Sequence, residues 1–160
     1  MHKEISNVTH LFHALKLPTP TIGVGINSGM VNVGNMGSSH RLTYTVIGDA
    51  VNLAFRLQTA TRDYHVGTIV GEDTARLFPE MLFRELDQVT LRGKTHSTRI
   101  YEPLCPKASA SNDLIQQIGI QQQALQLWYD EQHADSKKLF MQLQHDFPDQ
   151  QYYQDMLNKF

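Results

Sequence analysis

The spacing of apolar residues changes along the chain, and each change of period marks an element. Over 4–17, Ile5, Val8, Leu11, Phe12 and Leu15 recur at helical spacing, which predicts a short amphipathic helix stopped by Pro18 and Pro20. Thr21–Ile26 and Met30–Val33 read as strands on either side of Asn27-Ser28-Gly29, a hairpin signal in which glycine supplies positive φ at the turn. Gly34–Thr43 is polar and reads as a loop carrying His40 and Arg41. Tyr44–Ile47 is a short strand and Gly48 a break. Asp49 is then placed to cap a helix running from Ala50 to about Thr61. In that helix Leu53 and Leu57 share one face, while Asn52 and Arg56 share a neighbouring one.

Further on, Thr68–Val70 predicts a strand and Glu72–Leu77 a short helix ending near Pro79. Met81–Leu86, Val89–Leu91 and Ser97–Glu102 predict strands around the turn Arg92-Gly93-Lys94. Short strands interleaved with helices make an α+β domain. Pro103–Asn112 has linker character, with two prolines followed by small residues. Beyond it the pattern becomes helical, over 113–130, 133–146 and 149–160, with Pro148 at a helix start. Twelve of the 49 residues from Asn112 onward are glutamine, which the periodicity leaves unexplained.

Composition narrows the function classes. The chain is 41% hydrophobic, enough for a packed core, yet no apolar run approaches the length of a membrane span. No apolar stretch precedes the first charges at the N-terminus, so no secretory signal is expected. One cysteine, Cys105, excludes an internal disulfide framework and fits a reducing, cytoplasmic setting. Net charge is −2, but residues 1–111 hold 11 Lys/Arg against 9 Asp/Glu, and residues 112–160 hold 3 against 7. A mildly basic first part tolerates an anionic small ligand. The acidic tail argues against nucleic acid, which needs a broad basic footprint.

Three features could carry chemistry. Gly23-Val24-Gly25 with Gly29 superficially suggests a dinucleotide loop. Those glycines do not open a helix, and no acidic residue follows at the required distance. The unit Thr43–Arg56 is a strand, a Gly-Asp break and a helix that displays an amide and a guanidinium together. Arg56 offers a rigid fork of donors to phosphate oxygens, and Asn52 both donates and accepts toward a sugar. A solvated polar helix face explains the same residues without a ligand. The basic turn Leu91-Arg92-Gly93-Lys94 is nonspecific by itself.

In order, however, Ile22–Gly37, Tyr44–Leu57 and Leu91–Lys94 followed by Arg99–Glu102 resemble the class III nucleotidyl cyclases over about residues 20–104. The resemblance implies a ferredoxin-like cyclase domain lacking its first strands, followed by a small all-helical tail. The divisions are a remnant helix and loop at 1–19, the C-terminal part of the catalytic domain at 20–104, a linker at 105–112 and the tail at 113–160. It implies closure of ATP to 3′,5′-cyclic AMP: the ribose 3′-hydroxyl attacks the α-phosphorus and pyrophosphate leaves. In the family two Mg²⁺ ions, or Mn²⁺, held by two aspartates serve this reaction, at a site formed between two chains arranged head to tail. Asn52 matches the residue that positions the ribose, and Arg56 the one that stabilises charge on the α-phosphate. Thr45 matches the adenine-reading position. Arg92 and Lys94 fall in the phosphate-binding turn, and Arg41 with His40 in the basic loop before Tyr44.

The same resemblance implies that the strand and hairpin bearing the metal aspartates should precede Met1; no aspartate occurs before Asp49. The expectation is a truncated or split adenylate cyclase, inactive alone, with unpaired strand edges, whose site is completed by another cyclase chain. The tail, from Ala124 through Trp128, Phe140 and Phe147-Pro148-Asp149, resembles the tetratricopeptide-like tail of bacterial transmembrane sensor cyclases. That implies a membrane-anchored parent with a cytoplasmic catalytic domain, and a tail that docks on the cyclase portion or a partner. The alternatives are a non-catalytic interaction or nucleotide-binding module and a guanylate cyclase.

Overall fold

The computed structural model describes residues 12, 14–18, 21–38, 41–90 and 97–160. The helix expected over 4–17 and the basic turn Arg92-Gly93-Lys94 lie largely or wholly outside these residues. An α+β portion is followed by an all-helical one. The elements are β1 (Val24–Ile26), β2 (Asn32–Ser38), β3 (Arg41–Ile47), α1 (Asp49–Ala60), β4 (Thr68–Gly71), α2 (Glu72–Arg76), β5 (Met81–Thr90), β6 (Ser97–Pro106), α3 (Asn112–Tyr129), α4 (His133–Asp146) and α5 (Gln151–Leu157). Four strands form one sheet in the order β1-β4-β6-β5, and β2 with β3 forms a separate ribbon.

The expected hairpin between Thr21–Ile26 and Met30–Val33 does not form. β1 instead pairs parallel with β4, Gly25 opposite Ile69, and β2 pairs antiparallel with β3, Gly34 opposite Thr45. The polar composition of Gly34–Thr43 is that of a solvent-facing ribbon rather than a loop. Polarity alone does not separate the two, since an exposed two-stranded ribbon and a loop can share the same composition. Val33, Leu42, Tyr44 and Val46 remain exposed on it.

Gly25 of β1 and Gly23 just before it have a packing use that their spacing does not reveal. A Cβ on Gly25 would fall on the Ala54 carbonyl and the Gln58 amide, and one on Gly23 would fall on the Thr61 hydroxyl. The backbone of α1 therefore rests directly on β1, a close approach that a side chain would prevent. Leu53 and Leu57 turn the buried face of α1 inward, beside Val66 and Ile69. Asp49 is the first residue of α1 rather than its cap. Gly48, at φ 154°, occupies the cap position, and no side chain caps the helix.

β5 is one ten-residue strand rather than two short ones, its pairing with β6 shifting between Glu85 and Asp87. The irregularity explains why Arg84, Glu85 and Leu86 are all buried, which a regular two-fold strand with one solvated face would not allow. β5 is also the sheet's edge, and the helical portion covers it. Gln121 Nε2 donates to the Glu85 carbonyl and the Tyr152 hydroxyl to the Leu86 carbonyl. Two outward-facing acceptors of an edge strand are thereby satisfied by side chains. Arg84 completes the junction, 2.6 Å from Glu102 and donating to Gln150 at 2.9 Å. Part of the tail's glutamine content thus has a physical account: Gln117, Gln121 and Gln150 are the polar contacts of buried or half-buried sites.

One apolar cluster runs from Leu53, Leu57, Ile69, Leu86 and Ile100 through Leu125, Phe140, Leu143, Tyr152, Tyr153 and Met156. The tail therefore shares its core with the sheet. Ser111 caps α3 by accepting from the Leu114 amide, and Ser136 ties α4 to α3 by donating to the Ala124 carbonyl at 2.8 Å. Among the described residues no helix is long and apolar enough to cross a membrane.

Candidate functional site

The helix α1 presents two neighbouring faces, one buried and one exposed. Leu53 and Leu57 are buried against the sheet, while Asn52 and Arg56 stand exposed one turn apart. Residues at i and i+4 have Cβ atoms about 5–6 Å apart, so the amide and the guanidinium lie within reach of one small ligand. Arg56 enters none of the ion pairs among the described residues. Thr45 lies half-buried in β3, opposite Gly34 and three residues before the Gly48 break that starts α1. Arg41 opens β3 opposite Ser38. Arg92, Lys94 and His40 lie outside the described residues.

At the N-terminal end of α1 a hollow of about 400 Å³ is lined by residues including Asn27, Ser28, Gly29, Asp49 and Asp73. Asn27 Nδ2 donates to the Ala50 carbonyl at 3.3 Å, and the Thr74 hydroxyl donates to Ser28 Oγ at 3.1 Å, so the loop after β1 is tied both to α1 and to α2. Asp73 sits 3.7 Å from Arg76. Among the described residues no group of three or more His, Cys, Asp or Glu side chains is placed to hold a metal ion. The donor set among the described residues does not fit the divalent-metal centre of the family that the chain resembles.

Sequence reasoning missed a cluster where α1 ends. The turn after Ala60 is closed by backbone bonds from Tyr64 to Ala60 and from Val66 to Thr61, with His65 left-handed at φ 53°. The Tyr64 hydroxyl donates to Asp87 Oδ2 at 2.8 Å, and Lys159 Nζ lies 3.3 Å from the same oxygen. Burial and the Asp87 carboxylate push the Tyr64 phenol far above its ordinary value, which keeps it a donor. No periodicity or motif could have joined positions 64, 87 and 159, since the contacts exist only once the tail is folded back.

Comparison with known proteins places most of this chain in one family. Residues 5–102 match the family described as the adenylate and guanylate cyclase catalytic domain. The chain is 38% identical over 90 residues to an adenylate cyclase of Anabaena cylindrica, covering 54% of this chain and 18% of that protein. It is 36% identical over 84 residues to the terminal-differentiation-specific adenylate cyclase of Dictyostelium discoideum, covering 50% of this chain and 4% of that protein. Among solved structures, the adenylyl cyclase CyaB from P. aeruginosa superposes with TM-score 0.57 and 28% identity over 68% of this chain and 56% of that one. The guanylyl cyclase Cya2 superposes with TM-score 0.54 and 25% identity, over 67% and 54%. The chain thus spans little more than half of these structures and under a fifth of the two sequence relatives. With most of its length, residues 5–102, matched by that family, the chain belongs to the adenylate and guanylate cyclase catalytic domain family.

Proposed function

We propose that the chain supplies the ribose- and α-phosphate-binding half of an adenylate cyclase site, completed by a second cyclase chain that brings the metal-holding carboxylates. The observation that carries this reading is the pairing of Asn52 and Arg56 on the exposed face of α1, whose buried face is seated on a backbone-tight strand. In the reaction the ribose 3′-oxygen bonds to the α-phosphorus as the bond to the pyrophosphate oxygen breaks. The Asn52 amide orients the ribose, and the Arg56 guanidinium takes up charge growing on the α-phosphate oxygens, where fixed donors act most strongly. Thr45 reads the adenine, which selects ATP over GTP. Arg41, Arg92 and Lys94 add cationic contacts to the phosphates. Mg²⁺ or Mn²⁺ belongs to the partner's side of the site. The reading places the chain's work in the cytoplasm, where ATP is available, as the C-terminal part (20–104) of a catalytic domain carrying a tetratricopeptide-like tail at 113–160.

The test pairs this chain with a family member whose own equivalents of Asn52 and Arg56 have been replaced, in Mg²⁺ or Mn²⁺ with ATP or GTP. Cyclic AMP is expected from the mixture and from neither chain alone. Arg56→Ala in this chain is expected to lower the rate about a hundredfold or more, the usual cost of one transition-state donor, roughly 3 kcal/mol. Two chains that associate without producing cyclic nucleotide would overturn the proposal. Cyclic GMP as the main product would replace it with the guanylate reading.

A further inference from the structure

Asn52 and Arg56 are carried by a single rod. α1 has 12 residues, about 18 Å at 1.5 Å per residue, so a small rotation at its end moves both side chains. Its N-terminal end is tied by Asn27 to the Ala50 carbonyl. Its C-terminal end passes into the Tyr64–His65 turn, which is held at three points by the helical tail and by Asp87 of β5.

The first is the Tyr64 hydroxyl on Asp87, an acceptor that Lys159 holds from the other side at 3.3 Å. Asp87 lies at the irregularity of β5, where the pairing with β6 shifts. The second is the ring of Tyr64, which meets the Tyr152 ring at 6.4 Å between centroids, with Lys159 Nζ 5.9 Å from the Tyr64 centroid. Tyr152 is fully buried and anchored to the Leu86 carbonyl. The third is His65 Nε2, 3.2 Å from Asp155 Oδ2 on α5. All three contacts come from two consecutive residues of one turn, Tyr64 and His65, the second of which holds a left-handed conformation. A connection needed only to join α1 to β4 would not require side chains from β5, α5 and the chain end to converge on it.

We infer that the helical tail is a clamp on α1, and that Tyr64, with Asp87 and Lys159, is a positioning residue that sets where Asn52 and Arg56 stand. The importance of these residues for turnover rests on the function proposed above; the mechanical link does not. A displacement of about 1 Å in a positioning group costs on the order of a hundredfold in rate. The clamp therefore gives anything that binds the tail a direct route to the site.

The experiment compares Tyr64→Phe, which keeps the ring and loses the hydroxyl, with Ser136→Ala, which weakens the tail at a buried bond to Ala124 far along the chain from α1. Amide hydrogen exchange is measured on the full chain. Tyr64→Phe is expected to speed exchange at the C-terminal turns of α1 about five- to tenfold while α3 and α4 keep their protection. Ser136→Ala is expected to lower Tm without that local effect. Unchanged exchange in α1, or the same change in both variants, would overturn the clamp. In the reconstituted cyclase, Tyr64→Phe is expected to lower kcat about tenfold with KM for ATP nearly constant, and combination with Asp87→Asn to add little further. A fall in KM-dependent binding alone would also overturn the positioning role. If the wild-type pair makes no cyclic nucleotide, the proposed function fails while hydrogen exchange still decides the clamp.

Discussion

Gly25 has no side chain because the backbone of α1 occupies the place where one would stand. The obstacle on both sides is main chain, the Ala54 carbonyl and the Gln58 amide, so no rotamer change relieves it. Gly25→Ala must push α1 away from β1 or bend the strand, and overpacking of this kind costs about 1–3 kcal/mol. Urea unfolding is expected to show that loss, with the m-value unchanged. Gly34, in the ribbon, meets nothing within 4 Å, and its substitution by alanine makes a suitable control. If Gly25→Ala unfolds with the same midpoint as Gly34→Ala, α1 is not seated as tightly as the packing indicates. The contrast also bears on function, because the same contact fixes the height of Asn52 and Arg56 above the sheet.

Elements with a strong local period were legible in the chain: α1, α3 and α4 lie within a residue or two of where Leu53 and Leu57, or the stripe through Leu125, Phe140 and Leu143, places them. Strand partners were not. Gly23 and Gly25 fall inside the expected strand Thr21–Ile26, and only the helix lying on them shows why they are glycine. β1 found its partner 44 positions away, Val24 opposite Thr68, and no local pattern encodes such a pairing. The candidate site divides the same way. Asn52 and Arg56 could be placed on one helix face from their spacing, whereas the Tyr64–Asp87–Lys159 junction depends on the tail returning to the sheet. The tail's own bonds to β5 follow from the edge position of that strand. Tyr152→Phe removes the donor to the Leu86 carbonyl and leaves a buried acceptor unmade, a loss of about 1–3 kcal/mol. Thermal unfolding is expected to show a lower Tm as a single transition, because sheet and tail share one core. Two separated transitions would mean that the tail melts on its own.

On the scale of the whole molecule, the joint between sheet and tail contains a carboxyl group in an unfavourable place. Glu85 is 8% exposed, and burial pushes it above the usual carboxylate range. The Arg99 guanidinium on β6, with Nη1 3.5 Å from Oε2, and the nearby Tyr129 hydroxyl on α3 oppose that shift. The charges of Glu72 on α2 and Asp87 on β5 add to it. Burial and the Glu85 charge in turn raise the Tyr129 phenol far above its ordinary value, so it stays protonated. The consequence for stability follows from the sign of the shift. Unfolded, Glu85 titrates near the ordinary value of about 4.3; folded, it titrates higher. Between those two values the folded chain holds more protons than the unfolded one, so stability from this group falls as pH rises through the window and is constant above it. Glu85→Gln fixes a neutral side chain of the same shape and removes that slope. Urea midpoints of variant and wild type, measured from pH 4 to pH 7, are expected to diverge in the variant's favour as pH rises. Arg99→Gln, which removes the opposing charge, is expected to steepen the wild-type fall. A difference between Glu85→Gln and wild type that stays constant over this range would mean that the Arg99 pair offsets the burial, and that the joint is not weakened by ionisation of Glu85.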